Sequence, residues 1–261
     1  MRTTVLVALT IAITLAVATF PMFVTNQVFA TNALISPPLF AAQTQKKAVI
    51  LDSLEQVYPM GFYGKLIVQQ LESVGYQVTV LQNRNVTLDF LVNQLNNYGI
   101  IIWRTDSYTW QHREFWYVGQ LSSTAVQAEY ASDFAQGWIN GNGGILGVSY
   151  DFINEHFPAN SLPNVTLMLL ISTDSNVYAP TFITAGANAV VYCIGTVSLS
   201  FSNIDDLTGQ LTSYLTQGQS LYTAIYNSVS PFVQNTQTED PLDSSYPPPF
   251  WFLGNSTLTI T

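Results

Sequence analysis

Short runs of consecutive apolar residues alternate along this chain with longer stretches of helical periodicity. KAVILDS (47–53) is a continuous apolar run of strand length, the pattern of a strand buried on both faces. GFYGKLIVQQLESVGY (61–76) places Phe62, Leu66, Val68 or Gln69 and Leu71 at mixed helical spacing and stops at Gly75. QVTVLQ (77–82) predicts a second strand. TLDFLVNQLNNYG (87–99) predicts a helix with Thr87 as N-cap and Leu88, Leu91 and Leu95 on one face. GIIIWRTDS (99–107) is a third buried strand, VTLMLLIST (165–173) a fourth and NAVVYCIGTV (188–197) a fifth. Between the last two, APTFITAGA (179–187) reads as a short helix ending at Gly186. Residues 205–229 are helical in pattern, and FWFLGNSTLTIT (250–261) closes the chain with a strand.

Strand, helix and strand in succession predict an α/β fold: a three-layer sandwich with a mostly parallel sheet, flavodoxin-like strand order 2-1-3-4 and further strands beyond. Function in such sheets collects outside the carboxyl ends of the strands. Three of the predicted strands end in the same dipeptide, Asp52–Ser53, Asp106–Ser107 and Asp174–Ser175, and the order 2-1-3-4 makes these ends neighbours. The connection from Tyr108 to Gly144 leaves the same end. It is rich in aromatics and glycine, and reads either as a functional loop rising beside the strand ends or, the favoured reading, as a loop whose rings form a small satellite core.

Composition narrows the function. Only 9% of residues are charged, against roughly 25% in an ordinary soluble protein. The net charge of −9 argues against nucleic acid, whose phosphates such a surface repels. Uncharged polar groups change little when carboxylates protonate, which suits an acidic exterior. At the N-terminus, Arg2 precedes an apolar stretch over 5–23, and VFA (28–30) offers a small-residue cleavage site. Residues 1–30 therefore read as a secretory signal peptide or an N-terminal membrane anchor, with 5–23 as the possible tether. Residues 31–46 read as a linker, and 47–261 as one domain. The sequons at Asn85, Asn164 and Asn255 fit a secreted or extracellular, cell-surface chain open to glycosylation. A single cysteine, Cys193, excludes an intramolecular disulfide and a cysteine-rich metal cage.

The order of these pieces resembles the caspase-like fold of clan CD cysteine peptidases, the gingipain and CHAT group. IIWRTDS is similar to the strand end that carries the catalytic His, and LLISTDS to the one that carries the catalytic Cys. PTFITAGANAVVYCIGTVS resembles the segment after that Cys, and FWFLGNSTLTI the closing motif, with Asn255 and Ser256 where the family has Asp-Pro. The resemblance runs from about Lys47 to the C-terminus. It puts the His position on Asp106, or Thr105 one residue earlier, and the Cys position on Thr173 or Ser172. Neither an imidazole nor a thiol stands at its place, so the thiolate chemistry has no carrier there.

Other chemistry can be written onto the same strand ends. Thr173 or Ser172 as a hydroxyl nucleophile needs Asp106 or Asp174 as a base of raised pKa. His112, six residues beyond Asp106, is a second candidate base. Asp106 with Asp174 makes a glycosidase-like carboxylate pair, and Asp52, Asp106 and Asp174 offer oxygens to a hard cation. Against these stands a structural role, in which Arg104 pairs with the acids and the aspartates cap nearby N–H groups. Cys193 falls inside an apolar strand and reads as a small core hydrophobe; His156 sits in a predicted helix with no site signal. The expectation is an exported, catalytically degenerate domain with a binding or structural role, without cofactor or metal and with an unknown protein or peptide partner. The alternatives are a hydrolase and a self-associating surface protein.

Overall fold

The computed structural model describes residues 46–172, 175–193, 200–233 and 250–261 of the 261-residue chain. Strand β1 (Lys47–Asp52) leads to helix α1 (Gly61–Ser73), β2 (Gln77–Gln82), α2 (Leu88–Gln94) and β3 (Ile100–Arg104). Strands β4 (Ser107–Trp110) and β5 (Arg113–Leu121) follow, then the short helices α3 (Thr124–Glu129) and α4 (Ala131–Ala135) and strands β6 (Ile139–Asn142) and β7 (Ile145–Ser149). Helix α5 (Tyr150–His156) returns the chain to β8 (Leu167–Ile171), α6 (Ala179–Thr184) and β9 (Ala189–Cys193). Helices α7 (Phe201–Thr216) and α8 (Leu221–Val233) and strand β10 (Phe250–Gly254) complete it.

The main sheet has the order β2-β1-β3-β8-β9-β10, so β8 fills the fourth place of the expected 2-1-3-4 pattern. All neighbours are parallel except β10, which runs antiparallel to β9 along one edge. Alternation along each strand divides the core into two layers. Val49, Leu51, Ile101, Trp103, Met168 and Leu170 face one side, against α2, α5 and α6. Ala48, Ile50, Ile100, Ile102, Leu169 and Val191 face the other, against α1, α7 and α8. The chain is thus a three-layer α/β sandwich. Its central strands β1, β3, β8 and β9 are largely apolar and buried because helices cover both faces, whereas the edge strand β2 alternates polar and apolar residues.

Local signals held for the helix ends. Thr87 Oγ1 accepts the Phe90 N–H at 3.1 Å, and α1 gives way at Gly75, whose φ of +91° suits a residue without a Cβ. The buried stripe of α1 matches the expected one at Leu71 but not elsewhere. Ile67 and Leu71 point inward, whereas Phe62 is 71% exposed. Ile67 and Leu71 enter the core layer with Ile50, Ile100 and Ile102, while Tyr63 and Leu66 approach Gly209 of α7.

The connection from Tyr108 to Gly144 departs from expectation. With β7 it forms a second, antiparallel sheet of order β4-β5-β7-β6. Its aromatics divide: Tyr108 packs on Phe115 and Tyr117, with Trp110 against Phe115, as a local cluster, whereas Trp116 joins Val118, Ile139, Leu146 and Val148 in the same apolar cluster as β1 and β3. Trp116 meets Trp103 edge to face at 5.1 Å and lies 3.9 Å from the Tyr178 ring centroid. A register shift after Tyr117 includes Gly119 (φ +88°), where a Cβ would overlap the Asn83 carbonyl oxygen.

Residues 1–45 lie outside the described residues, and with them the expected signal peptide or anchor over 1–30 and nearly all of the expected linker. No helix among the described residues is long and apolar enough to cross a membrane.

Candidate functional site

Parallel pairing puts the carboxyl ends of β1, β3 and β8 side by side. Asp52 stands opposite Arg104, and Arg104 opposite Ile171. Asp52 and Arg104 therefore share one face of neighbouring strands, the geometry in which cross-strand pairs interact. Arg104 Nη1 donates to Asp52 Oδ1 at 2.9 Å. On its other side, Nε and Nη2 donate to Asp205 Oδ1 and Oδ2 at 2.7 and 2.9 Å, a two-pronged pair supplied by α7. The guanidinium also lies over the Phe201 ring, 5.4 Å from its centroid. All three ionic groups are buried, at 1%, 0% and 3% exposure for Asp52, Arg104 and Asp205.

Burial lifts the Asp52 carboxyl, and although Arg104 counteracts it, the neighbouring Glu55 adds to the rise, leaving Asp52 at about 6. Burial likewise raises Asp205 against the pull of Arg104, with the Glu55 charge reinforcing the rise. Burial works against the Arg104 charge, yet its hydrogen bonds and charge pairing with Asp205 and Asp52 win and hold it cationic. The expected pairing of Arg104 with a strand-end acid is present, with Asp52.

Asp106 takes no part in that network. It follows β3, its Oδ1 accepts the Ser107 N–H at 2.8 Å and its carbonyl accepts the Tyr117 N–H at 3.1 Å. Burial raises its carboxyl, and the Ser107 hydrogen bond offsets part of the rise. Asp52 Oδ1 similarly accepts the Leu54 N–H at 3.0 Å, so both aspartates cap the turn that follows their strand. The Thr105 hydroxyl donates to the Tyr117 carbonyl at 2.6 Å. Thr173 and Asp174 lie outside the described residues, which leaves the Asp106–Asp174 pair and the three-aspartate cation site without a described geometry. Ser172 is fully buried.

The remaining candidates are held elsewhere. Cys193 lies in the core of the α1, α7 and α8 layer; burial pushes its thiol up to about 12, partly offset by hydrogen bonding from Ser172 and Ser175. Ser175 Oγ accepts the Cys193 N–H at 2.7 Å and reaches the Leu170 carbonyl at 3.0 Å, tying β8 to β9. His112 occupies the exposed tip of the β4–β5 hairpin, where Gln111 and His112 both have positive φ, 49° and 64°. His156 does lie in a helix, with Nε2 3.0 Å from Asp133 Oδ1 and its ring 4.2 Å from that of Phe152. Among the described residues no set of three His, Cys, Asp or Glu side chains converges as metal ligands. Of the sequons, Asn85 and Asn255 are exposed, while Asn164 Nδ2 donates to the Asn96 carbonyl at 3.1 Å. Asn255 Oδ1 accepts both the N–H and the hydroxyl of Thr257, at 3.0 and 2.8 Å.

Two cavities open beside the ionic network and share Met60 and Gly61 at the start of α1. One, of about 670 Å³, is lined by Arg104, Asp205 and Phe201 and by the exposed Val57, Tyr58 and Phe62. The other, of about 580 Å³, is lined by Asp52 and Glu55. Sequence reasoning named Asp52 and Arg104 but missed Asp205 and Glu55. A signal for Asp205 existed: it keeps step with Thr208 and Thr212 along the buried stripe of α7, and an acid on an apolar stripe demands a cation.

The chain was compared with protein-family models and with curated proteins. It matches none of them.

Proposed function

We propose that this is an exported, catalytically degenerate domain of caspase-like, gingipain-related descent that acts by binding rather than by hydrolysis. The observation that carries the reading is the fate of the thiol and the imidazoles. The chain's one cysteine is a buried core residue, and its two histidines sit on a hairpin tip and against Asp133. The strand end corresponding to the family's His position presents Asp106, a carboxylate occupied in capping its own turn. A scaffold of this kind retains its sheet while its site residues change role. Its strand ends carry instead an ionic core and an aromatic-rimmed cleft in which Tyr58 and Phe62 stand exposed, a surface suited to a polypeptide partner.

The test is direct. The chain is incubated with a fluorophosphonate probe, an iodoacetamide probe and a peptide-substrate library at acid and neutral pH. No turnover and no site-specific labelling are expected. Labelling or turnover abolished by Thr173→Ala or Ser172→Ala would replace this reading with that of a hydrolase.

A further inference from the structure

The ionic network at the strand ends is short of positive charge. Asp52 and Asp205 are both buried and share the single guanidinium of Arg104. Glu55 stands close enough to raise both carboxyls. Asp205 uses both its oxygens on Arg104. Asp52 does not: Oδ1 accepts from Arg104 and from Leu54 N–H, while Oδ2 is buried with no hydrogen-bond donor. Leaving a carboxylate oxygen unmet in such a place forfeits its hydration with nothing in return, so buried acids are ordinarily satisfied.

Asp52 lines the cavity of about 580 Å³ between α1 and the carboxyl ends of β1 and β2, within the range of roughly 300–1,000 Å³ usual for small-molecule sites. Glu55 lines it too, and Ile50, Met60, Val68 and Val80 supply apolar wall. We propose that this cavity binds an organic cation: an ammonium or guanidinium group on an aliphatic stem, its N–H groups donating to Asp52 and Glu55 and its stem lying against the apolar wall.

The chemistry selects that class over two others. An inorganic cation would have to keep most of its water against Ile50, Met60, Val68 and Val80, since the described residues converge no metal-ligand group. A neutral apolar ligand would leave Asp52 Oδ2 without an N–H or hydroxyl donor and the Asp52 and Glu55 carboxyls with nothing but a shared proton between them. Lys65 also lines the cavity, but it forms no ion pair within 4.0 Å among the described residues, so the acids have no internal cation beyond Arg104. None of this rests on the peptidase resemblance, and hydrolytic activity in the preceding assay would leave it standing.

The experiment titrates the full chain at neutral pH with n-butylammonium, with N-acetyl-lysine methylamide and with 1-butanol as the neutral isostere, following amide chemical shifts and thermal stability. Saturable binding of an amine without matching binding of 1-butanol is expected. Tighter binding of n-butylammonium identifies a free small amine as the ligand chemistry, and tighter binding of the lysine derivative identifies a lysine side chain. Glu55→Gln, at a partly exposed position, should weaken binding roughly tenfold, the size of one charge-assisted hydrogen bond. Asp52→Asn should abolish binding; should that variant fail to fold, the Glu55→Gln result decides alone. Equal responses to amine and butanol, or unchanged amine affinity in folded Glu55→Gln, overturn the proposal. Binding seen only in Lys65→Gln overturns it as well, because Lys65 is then the cavity's own occupant.

Discussion

Arg104 is the residue on which the strand-end geometry depends. Removing it leaves Asp52 and Asp205 buried without a counter-charge, the situation in which breaking a buried pair costs about 3–5 kcal/mol. Arg104→Met is expected to lose stability of that order at neutral pH by urea unfolding. The loss should shrink at pH 5, below the value of about 6 to which Asp52 is raised, where that carboxyl accepts a proton and sheds its charge. Equal losses at the two pH values would show that the pair is exposed to solvent. Cys193 makes a second residue-scale prediction. Buried and raised to about 12, it should resist Ellman's reagent in the native chain and react fully once unfolded.

At the scale of elements, the antiparallel sheet inserted between β3 and β8 is where sequence and structure part. Strands β4, β6 and β7 are only four or five residues long, and the alternation of REFWYVGQL in β5 is interrupted at Gly119 by the bulge beside Asn83. The pattern therefore resembled an aromatic loop. Pairing with β7, which lies beyond the GNGG turn, gives those residues a common face, and no local window contains that information. Trp116→Ala, which removes a fully buried ring against Trp103 and Tyr178, should cost about 3–5 kcal/mol in equilibrium unfolding. The β4–β5 hairpin offers the opposite change. Gln111 and His112 both hold positive φ in a two-residue turn, a conformation that Asn-Gly adopts with less strain. Gln111→Asn with His112→Gly should stabilise the chain by roughly 0.5–1 kcal/mol; a destabilised variant would show that the His112 side chain makes a contact the turn depends on.

Across the whole molecule, the buried acids set an unusual pH response. Asp52 is raised to about 6 in the folded chain, and Asp106 and Asp205 are raised as well, each first of all by burial. In the unfolded chain they titrate near the usual value of about 3.9. Between these values the folded state holds the more protons, so the stability they contribute is full below the unfolded value and is lost as pH rises through the folded one. With few other charges to repel one another at low pH, the melting temperature should climb as pH falls from 7.5 to 5. A maximum at neutral pH with a decline on acidification would contradict this. Such a response agrees with the acid-tolerant surface inferred from composition.

The amino-acid sequence by itself determined the central strands, the Thr87 cap and the burial of Cys193. These follow from apolar runs and local hydrogen-bonding options once helices must cover both faces. The order 2-1-3-4 was one of several doubly wound orders that the same alternation allows, and the packing of the sheet selected it. The sequence also placed Asp52 and Arg104 at strand ends. Only the tertiary structure decided what those residues do. Asp205 comes from a helix 101 positions away, and Asp106, two residues past Arg104, turns out of its reach. The reason is physical: periodicity records which face a residue occupies, whereas the energy of a buried charge depends on which distant partner the packing delivers to it.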